Sequence, residues 1–78
     1  MNPYERIVRT LCVERGLDPV PTLAGARAPD FVKVRHAAFW RLRERNRSFP
    51  QIGEWSGFHH TTVMNGVARH AALQENRA

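Results

Sequence analysis

A run of four polar side chains, His59–Thr62, concentrates groups that both donate and accept hydrogen bonds. Asn65 and Arg69 follow at helical spacing, on the side away from the apolar Val63 and Val67. Imidazole, hydroxyl, amide and guanidinium groups can read the edges of base pairs or hold phosphate oxygens. Histidines can also bind a metal ion. The chemistry open to this face is therefore recognition by hydrogen bonding or coordination of a metal.

A capped helix that ends at a glycine is predicted to precede this polar run. Ser48 can cap the helix, and Gln51 three residues later completes a capping box. Gly53 removes a side chain where a second helix could approach closely. Ser56-Gly57 then breaks the helix, because glycine readily takes positive φ.

A second helix is predicted to begin near His60, with Val63, Val67 and Ala71 on one apolar face. The opposite face carries His60, Thr61, Thr62, Asn65 and Arg69. A short helix, a glycine turn and a helix with a polar front predict a helix-turn-helix over residues 48–75. In that motif the second helix enters the DNA major groove, and its first residues meet base edges.

The excess positive charge lies in one segment. The chain carries a net charge of +5, and residues 33–47 account for all of it with six basic residues and one acidic residue. Such a stripe attracts a polyanion. The alternative is a solvated helix face that keeps the protein soluble. Because the stripe adjoins the predicted helix-turn-helix, we favour DNA and expect Lys33 to contact phosphate.

Length predicts one small domain spanning residues 1–78. The helical patterns along the chain make the expected fold class all-α, a small helical bundle. With 78 residues, 42% of them apolar, the chain can bury one modest core but no deep active site. The single Cys12 is predicted to be a core residue, and its isolation fits a reducing compartment. No apolar run is long enough for a membrane span or a signal peptide. We therefore expect a cytoplasmic, nucleoid-associated protein.

Two further helices are predicted before the basic stripe ends. Asn2 can cap the first helix, and Gly16 is predicted to end it in a left-handed conformation. Asp30 can cap the second of these helices, which is predicted to run to about Arg45.

The remaining segments are predicted to be irregular. Residues 17–29 hold three prolines and should form a surface loop, with one helical turn at residues 22–24. The tail, residues 74–78, is polar and is expected to fray.

The chain from Ile7 to about Ala72 resembles the C-terminal DNA-binding domain of the bacterial replication initiator DnaA. The marks are the segment VKVRHAA, S-x-P-x-I-G at residues 48–53 and HTTV at residues 60–63. The leading helix, the Pro-rich loop and the basic third helix occur in the family's order. The resemblance implies an all-helical fold whose helix-turn-helix binds short double-stranded boxes at replication origins.

The resemblance also implies individual roles. His60 and Thr61 match positions that read bases in the major groove, and Arg27 matches an arginine inserted into the adjacent minor groove. The positions that match contacts to phosphates or to the DNA surface are Arg35, His36, Arg43, Thr62, Arg69 and the backbone at Phe49 and Pro50. From the polar face itself, we add His59 and Asn65 as base contacts.

The chain departs from the family pattern at the turn, where it has SGFHHTT instead of the usual GGRDHTT. Phe58 replaces an arginine, and His59 replaces an aspartate that caps the helix and contacts a base. We therefore expect a preferred sequence that differs from the usual initiator box. No GxxxxGK[ST] phosphate loop occurs in the sequence, so we expect a stand-alone binder or an N-terminal module rather than an ATP-driven initiator.

The leading interpretation is sequence-specific binding of double-stranded DNA by a bacterial or phage transcription regulator. Modulation of replication initiation is the alternative within the same class. The expected partners are DNA and the transcription or replication machinery, with no enzymatic activity, no cofactor and no membrane.

Two other classes of protein are alternatives to a DNA-binding domain. A metal site would need His36, His59, His60 and His70, but neighbouring histidines do not share one helix face, and no HExxH or Cys/His spacing is present. We therefore expect no metal. A degenerate helix-turn-helix that binds protein instead of DNA is the third interpretation. The basic and polar surfaces, both retained, argue against it.

Overall fold

The computed structural model describes residues 1–76, which form five helices and no strand. The helices are α1 (Pro3–Arg15), α2 (Pro19–Ala24), α3 (Pro29–Glu44), α4 (Phe49–Ser56) and α5 (His60–Asn76). Helix α3 lies centrally and contacts each of the other four. The predicted all-α bundle is confirmed. Within residues 1–76 no helix is long and apolar enough to cross a membrane.

Helix α1 is bounded by the signals that its sequence carries. The Asn2 side chain accepts a hydrogen bond from the Glu5 N–H at 2.8 Å. Gly16 ends the helix with φ 67°, and the Leu17 N–H donates to the Cys12 carbonyl at 2.8 Å. Cys12 itself is fully buried, as predicted.

The Pro-rich segment is more helical than predicted. Helix α2 takes six residues where the sequence predicted one turn inside a loop. Asp18 accepts a hydrogen bond from the Val20 N–H at 2.9 Å, Pro19 occupies the first helical position, and Gly25 ends the helix with φ 93°. The segment therefore carries a helix start signal at Asp18 and a stop signal at Gly25. Pro19 does not prevent the helix, because proline is compatible with the first helical position.

The start of α3 also differs from the prediction. Ala28, rather than Asp30, is the N-cap, and no side chain caps the helix. Pro29 begins the helix because its fixed φ suits the first helical position. Asp30 lies in the first turn, where a negative charge is favourable beside the positive end of the helix dipole.

The helix-turn-helix is confirmed, with the predicted cap at Ser48 and the predicted turn at Gly57. The Ser48 hydroxyl accepts a hydrogen bond from the Gln51 N–H at 3.2 Å, and Gly57 adopts φ 80°. Gly53 is buried where α4 meets the turn, and a Cβ added there would lie 2.7 Å from the Phe58 carbonyl oxygen. The close approach predicted at Gly53 is therefore present.

Helix α5 packs on α3 through a second glycine and runs further than predicted. A Cβ on Gly66 would lie 2.8 Å from the Cδ2 atoms of both His36 and Phe39. The helix continues to Asn76, so residues 74–76 of the predicted tail are helical, and residues 77 and 78 lie outside the described residues.

We predict that Gly53→Ala lowers the free energy of unfolding by about 1–3 kcal/mol, because the new methyl group meets a backbone carbonyl that cannot rotate away. Chemical denaturation measures the change. Glu54→Ala, at the exposed neighbouring position, is the control and should change stability by less than about 0.5 kcal/mol. A Gly53→Ala variant as stable as the wild type would show that the turn can move away.

Candidate nucleic-acid interface

His59 is the N-cap of α5. Its carbonyl accepts the Thr62 N–H at 3.0 Å and the Val63 N–H at 3.2 Å. Its Nδ1 atom accepts the Thr61 N–H at 3.2 Å and lies 2.8 Å from the Thr61 hydroxyl oxygen. An acceptor at Nδ1 places the imidazole proton on Nε2. The histidine therefore keeps the capping role of the aspartate that the resemblance has at this position.

The polar front predicted for α5 is exposed along its whole length. Its members are His60, Thr61, Thr62, Asn65 and Arg69, all exposed. On the opposite side Val63 and Gly66 are buried against the rest of the bundle. The rings of His59 and His60 lie 4.2 Å apart at the start of the helix. The first two turns of α5 therefore present donors and acceptors to solvent.

Phe58 belongs to the core side of the turn. Its ring meets the edge of Phe39 with centroids 6.1 Å apart. The guanidinium carbon of Arg35 lies 5.4 Å from its centroid on another side. Phe58 thus fixes the turn against α3.

The segment that joins α3 to α4 is held by Arg43. Its guanidinium lies 4.3 Å from the centroid of the Phe49 ring and donates to the Arg47 carbonyl at 2.8 Å. Phe49 is half-buried beneath it, and Pro50 is exposed. Of the two residues predicted to contact phosphate through the backbone, only Phe49 has an N–H to donate, because proline has none.

Arg35 is a correction to the prediction. It was expected at the DNA surface, but only 6% of the side chain is exposed. Nη1 donates to the Thr22 carbonyl at 3.1 Å and Nη2 to the Ala26 carbonyl at 2.7 Å. These hydrogen bonds hold the guanidinium inside the bundle, so it does not offer a phosphate contact in this arrangement.

Arg27 and Lys33 are exposed, as their predicted roles require. Arg27 lies between α2 and α3, in the short connection that follows Gly25. Lys33 borders a shallow cavity of about 380 Å³ between α3 and α5, together with His36 and Arg69. Lys33 of α3 and Arg69 of α5 therefore lie on the same side of the bundle.

His36 is half-buried at this cavity. Burial lowers the pKa of its imidazole, and the nearby charges of Arg69, Arg35 and His70 lower that pKa further. A phosphate contact by His36 would therefore begin as a hydrogen bond from a neutral ring.

The four histidines do not form a metal site in the part of the chain that the structure describes. No group of three His, Cys, Asp or Glu side chains among residues 1–76 is placed to hold a metal ion. His59 contacts His60, whereas His70 lies 3.0 Å from the amide nitrogen of Gln74.

Two contacts that position the interface are not predicted from the sequence. The Asn2 side-chain amide donates to the Trp55 carbonyl at 2.9 Å and so ties the start of α1 to the last turn of α4. Gly66 admits the rings of His36 and Phe39. A glycine inside a helical pattern is a signal for such packing, but the Asn2 contact spans 53 residues and leaves no local trace.

Most of the chain matches one known family. Residues 4–69 match the family described as the bacterial DnaA protein helix-turn-helix. The chain belongs to this family. No curated protein and no solved structure matches the chain. The part that matches the DnaA-type domain begins at Tyr4, ends at Arg69 and contains every residue predicted above to contact DNA.

We predict that His59→Ala lowers the free energy of unfolding by about 1 kcal/mol near neutral pH, because α5 loses its cap. The Thr61 amide should also exchange its hydrogen faster. His59→Asp is the matched control and should retain both stability and protection, because a carboxylate caps as well. Unchanged exchange at Thr61 in His59→Ala would contradict the capping role.

Because the pKa of His36 is lowered in the folded protein, the free energy of unfolding should decrease as the pH falls. The unfolded chain takes up a proton on this imidazole below about pH 6.5, and the folded protein resists it, so stability falls as the pH falls through this range. His36→Gln should make the free energy of unfolding less sensitive to pH between about 7.5 and 5. His60→Gln, at an exposed position, is the control. Equal sensitivity in wild type and His36→Gln would contradict the assignment.

Proposed function

We propose that the domain binds double-stranded DNA sequence-specifically, with the first turns of α5 in the major groove. The observation that carries this proposal is the continuous exposed front of α5, from His60 to Arg69, opposite a buried back. Membership of the DnaA helix-turn-helix family supports the same conclusion. Base edges in the major groove offer distinct patterns of donors and acceptors, which hydroxyl, amide and imidazole groups can read.

Base recognition is assigned to His60, Thr61 and Asn65, which are exposed and lie within the first two turns of α5. His59 stands at the same end, but its Nδ1 is occupied by Thr61. Its free Nε2–H is therefore the group that it can offer to a base.

Affinity is assigned to the groups around this helix. Lys33 and Arg69 flank the cavity between α3 and α5, Arg43 covers the start of α4, and Thr62 is exposed beside Thr61. The Phe49 N–H stands at the N-terminus of α4, where helix amides and the helix dipole favour an anion. Such phosphate contacts position a protein on the duplex without reading sequence.

Arg27 is proposed to enter the adjacent minor groove. It is exposed, and the small residues Ala26 and Ala28 on either side leave the backbone free to approach a duplex. Narrow A·T-rich minor grooves concentrate negative potential and attract arginine.

The role proposed for this binding is transcription regulation in a bacterium or phage, with the domain resident at the chromosome in the cytoplasm. Occupancy of a DNA site by a helix-turn-helix suffices for such a role, and no catalytic step is required of the domain. Membership of the DnaA family favours a second candidate, modulation of replication initiation through origin boxes. The sequence of the site separates the two, because the second requires the initiator box.

Selection of bound sequences from a pool of random duplexes tests the proposal. We expect the selected duplexes to share one short sequence, read in the major groove, with A·T pairs enriched at one end of it. Binding without any enriched sequence would contradict sequence-specific recognition, and absence of binding to duplex DNA would favour a domain that binds protein.

Binding should weaken steeply with salt. The cationic contacts are those of Lys33, Arg43 and Arg69 with phosphates and that of Arg27 in the minor groove. At about 0.9 per neutralised phosphate they give a slope of about −3 to −4 in a plot of log K against log salt concentration. Arg69→Ala should weaken binding to all duplexes alike and flatten the slope by about one. Arg6→Ala is the charge-matched control on the exposed surface of α1 and should leave the slope unchanged. A wild-type slope near zero would rule out the electrostatic contribution.

The base contacts should behave differently from the phosphate contacts. Thr61→Ala and His60→Ala should each weaken binding to the selected site by about 1–3 kcal/mol and binding to random duplex much less. Titration of both duplexes with each variant, at one salt concentration, makes the comparison. Equal losses on the two duplexes would mean that these side chains do not read bases.

A further inference from the structure

Arg35 is the one arginine of the basic segment 33–47 that lies in the core. It contacts both the segment before Arg27 and the turn before α5. Arg35 donates to the carbonyls of Thr22 and Ala26 with its two terminal nitrogens. The Ala26 contact, at 2.7 Å, is short for an N–H donor, as expected when the donor is charged. Ala26 directly precedes Arg27, so the segment that carries the proposed minor-groove residue is fixed at its base.

The hydrogen bond from Arg35 to the Thr22 carbonyl helps to hold the six-residue helix α2 against α3. The last carbonyls of a helix have no partner within it and carry the negative end of the helix dipole. Thr22 lies in the last turn of α2, and its side chain is fully buried beside Cys12. A guanidinium that donates to this carbonyl and to Ala26 closes the end of α2 onto α3.

The same guanidinium also covers the turn of the helix-turn-helix. Its central carbon lies 5.4 Å from the centroid of the Phe58 ring, a distance typical of a cation–π contact. Phe58 directly precedes His59, the N-cap of α5. Arg35 therefore contacts residues next to Arg27 on one side and next to the start of α5 on the other.

We propose that Arg35 is a positioning residue, which fixes the Arg27 segment relative to the start of α5. Arg27 can then enter the minor groove of a duplex while the first residues of α5 occupy the adjacent major groove. This inference rests on the proposed function. It assigns Arg35 an effect on sequence preference at one end of the site, although Arg35 itself touches no DNA. Because only 6% of the side chain is exposed, direct phosphate contact would require Arg35 to move out of the core.

The first experiment compares two duplexes that share the selected major-groove sequence and carry A·T or G·C pairs at the end assigned to Arg27. Kd is measured for wild type, Arg27→Ala, Arg35→Met and the double variant. The wild type should prefer the A·T duplex roughly tenfold. Arg27→Ala and Arg35→Met should each bring this ratio towards one, and the double variant should lose no more than either alone. Preference at the major-groove positions should survive.

The salt slope separates positioning from phosphate contact. On the Arg27→Ala background, Arg35→Met should leave the slope unchanged, whereas loss of a phosphate contact flattens it by about one. A flattened slope there would overturn the inference. Arg45→Met, at an exposed position at the end of the same helix, is the matched control for removal of a charge from the stripe.

Arg35→Met removes the guanidinium donor from the carbonyls of Thr22 and Ala26, so a milder variant and a wild-type measurement accompany it. Arg35→Lys keeps the charge but lacks the planar fork that reaches both carbonyls, and it should lose part of the A·T preference. Thermal unfolding of each variant identifies the temperature at which binding is measured on folded protein. In the ¹⁵N-labelled wild type, the Arg35 guanidinium protons should exchange slowly with and without bound duplex. Fast exchange in the complex would overturn the inference.

The outcomes also distinguish this inference from the proposed function. If the wild type binds no duplex sequence in preference to others, the proposed function fails. If the wild type prefers the A·T end and folded Arg35→Lys and Arg35→Met keep that preference in full, only the positioning role of Arg35 fails. A wild type that binds specifically without any A·T preference at that end also overturns the positioning role.

Discussion

The buried ring of Phe39 is the contact on which the arrangement of the helices depends. It is 1% exposed, stacks on Tyr4 of α1 at 5.6 Å and meets the edge of Phe58 at 6.1 Å. On a third side Gly66 lets the backbone of α5 approach the same ring. Aromatic pairs at such distances contribute about 0.5–1.5 kcal/mol each beyond the area they bury. One side chain of α3 thus sets the positions of α1, the turn and α5.

This packing gives a physical account of how the turn accommodates its departure from the family pattern. Phe58 stands where the resemblance has an arginine, and its ring contacts Phe39 and the Arg35 guanidinium. His59 stands where the resemblance has an aspartate, and its Nδ1 still accepts the Thr61 N–H. Both residues hold the start of α5 in place through these contacts. They change the groups offered to DNA, since an arginine side chain is lost and a carboxylate becomes an imidazole.

Features that depend on neighbouring residues could be predicted from the sequence, and features that depend on distant contacts could not. The caps at Asn2 and Ser48 and the left-handed turn at Gly57 were correct, because each is decided within four residues. Asp30 was wrong as a cap because Pro29 sets the start of α3. The interior position of Arg35 depends on carbonyls 9 and 13 residues away, and arginine is usually exposed, so no local pattern indicates it.

The position of Arg35 also changes how the charge of the stripe should be understood. Its six basic residues suggested six groups for a polyanion, but one of them bonds two carbonyls in the core and Arg43 is partly engaged by Phe49 and Arg47. Counting charges therefore overstates the number of phosphate contacts. The electrostatic attraction is reduced less, because a charge beneath the surface still contributes to the potential outside it. All six charges of the stripe thus attract DNA at long range, but only some of them can contact phosphates. Arg35 makes no such contact and instead holds the neighbouring segments in place.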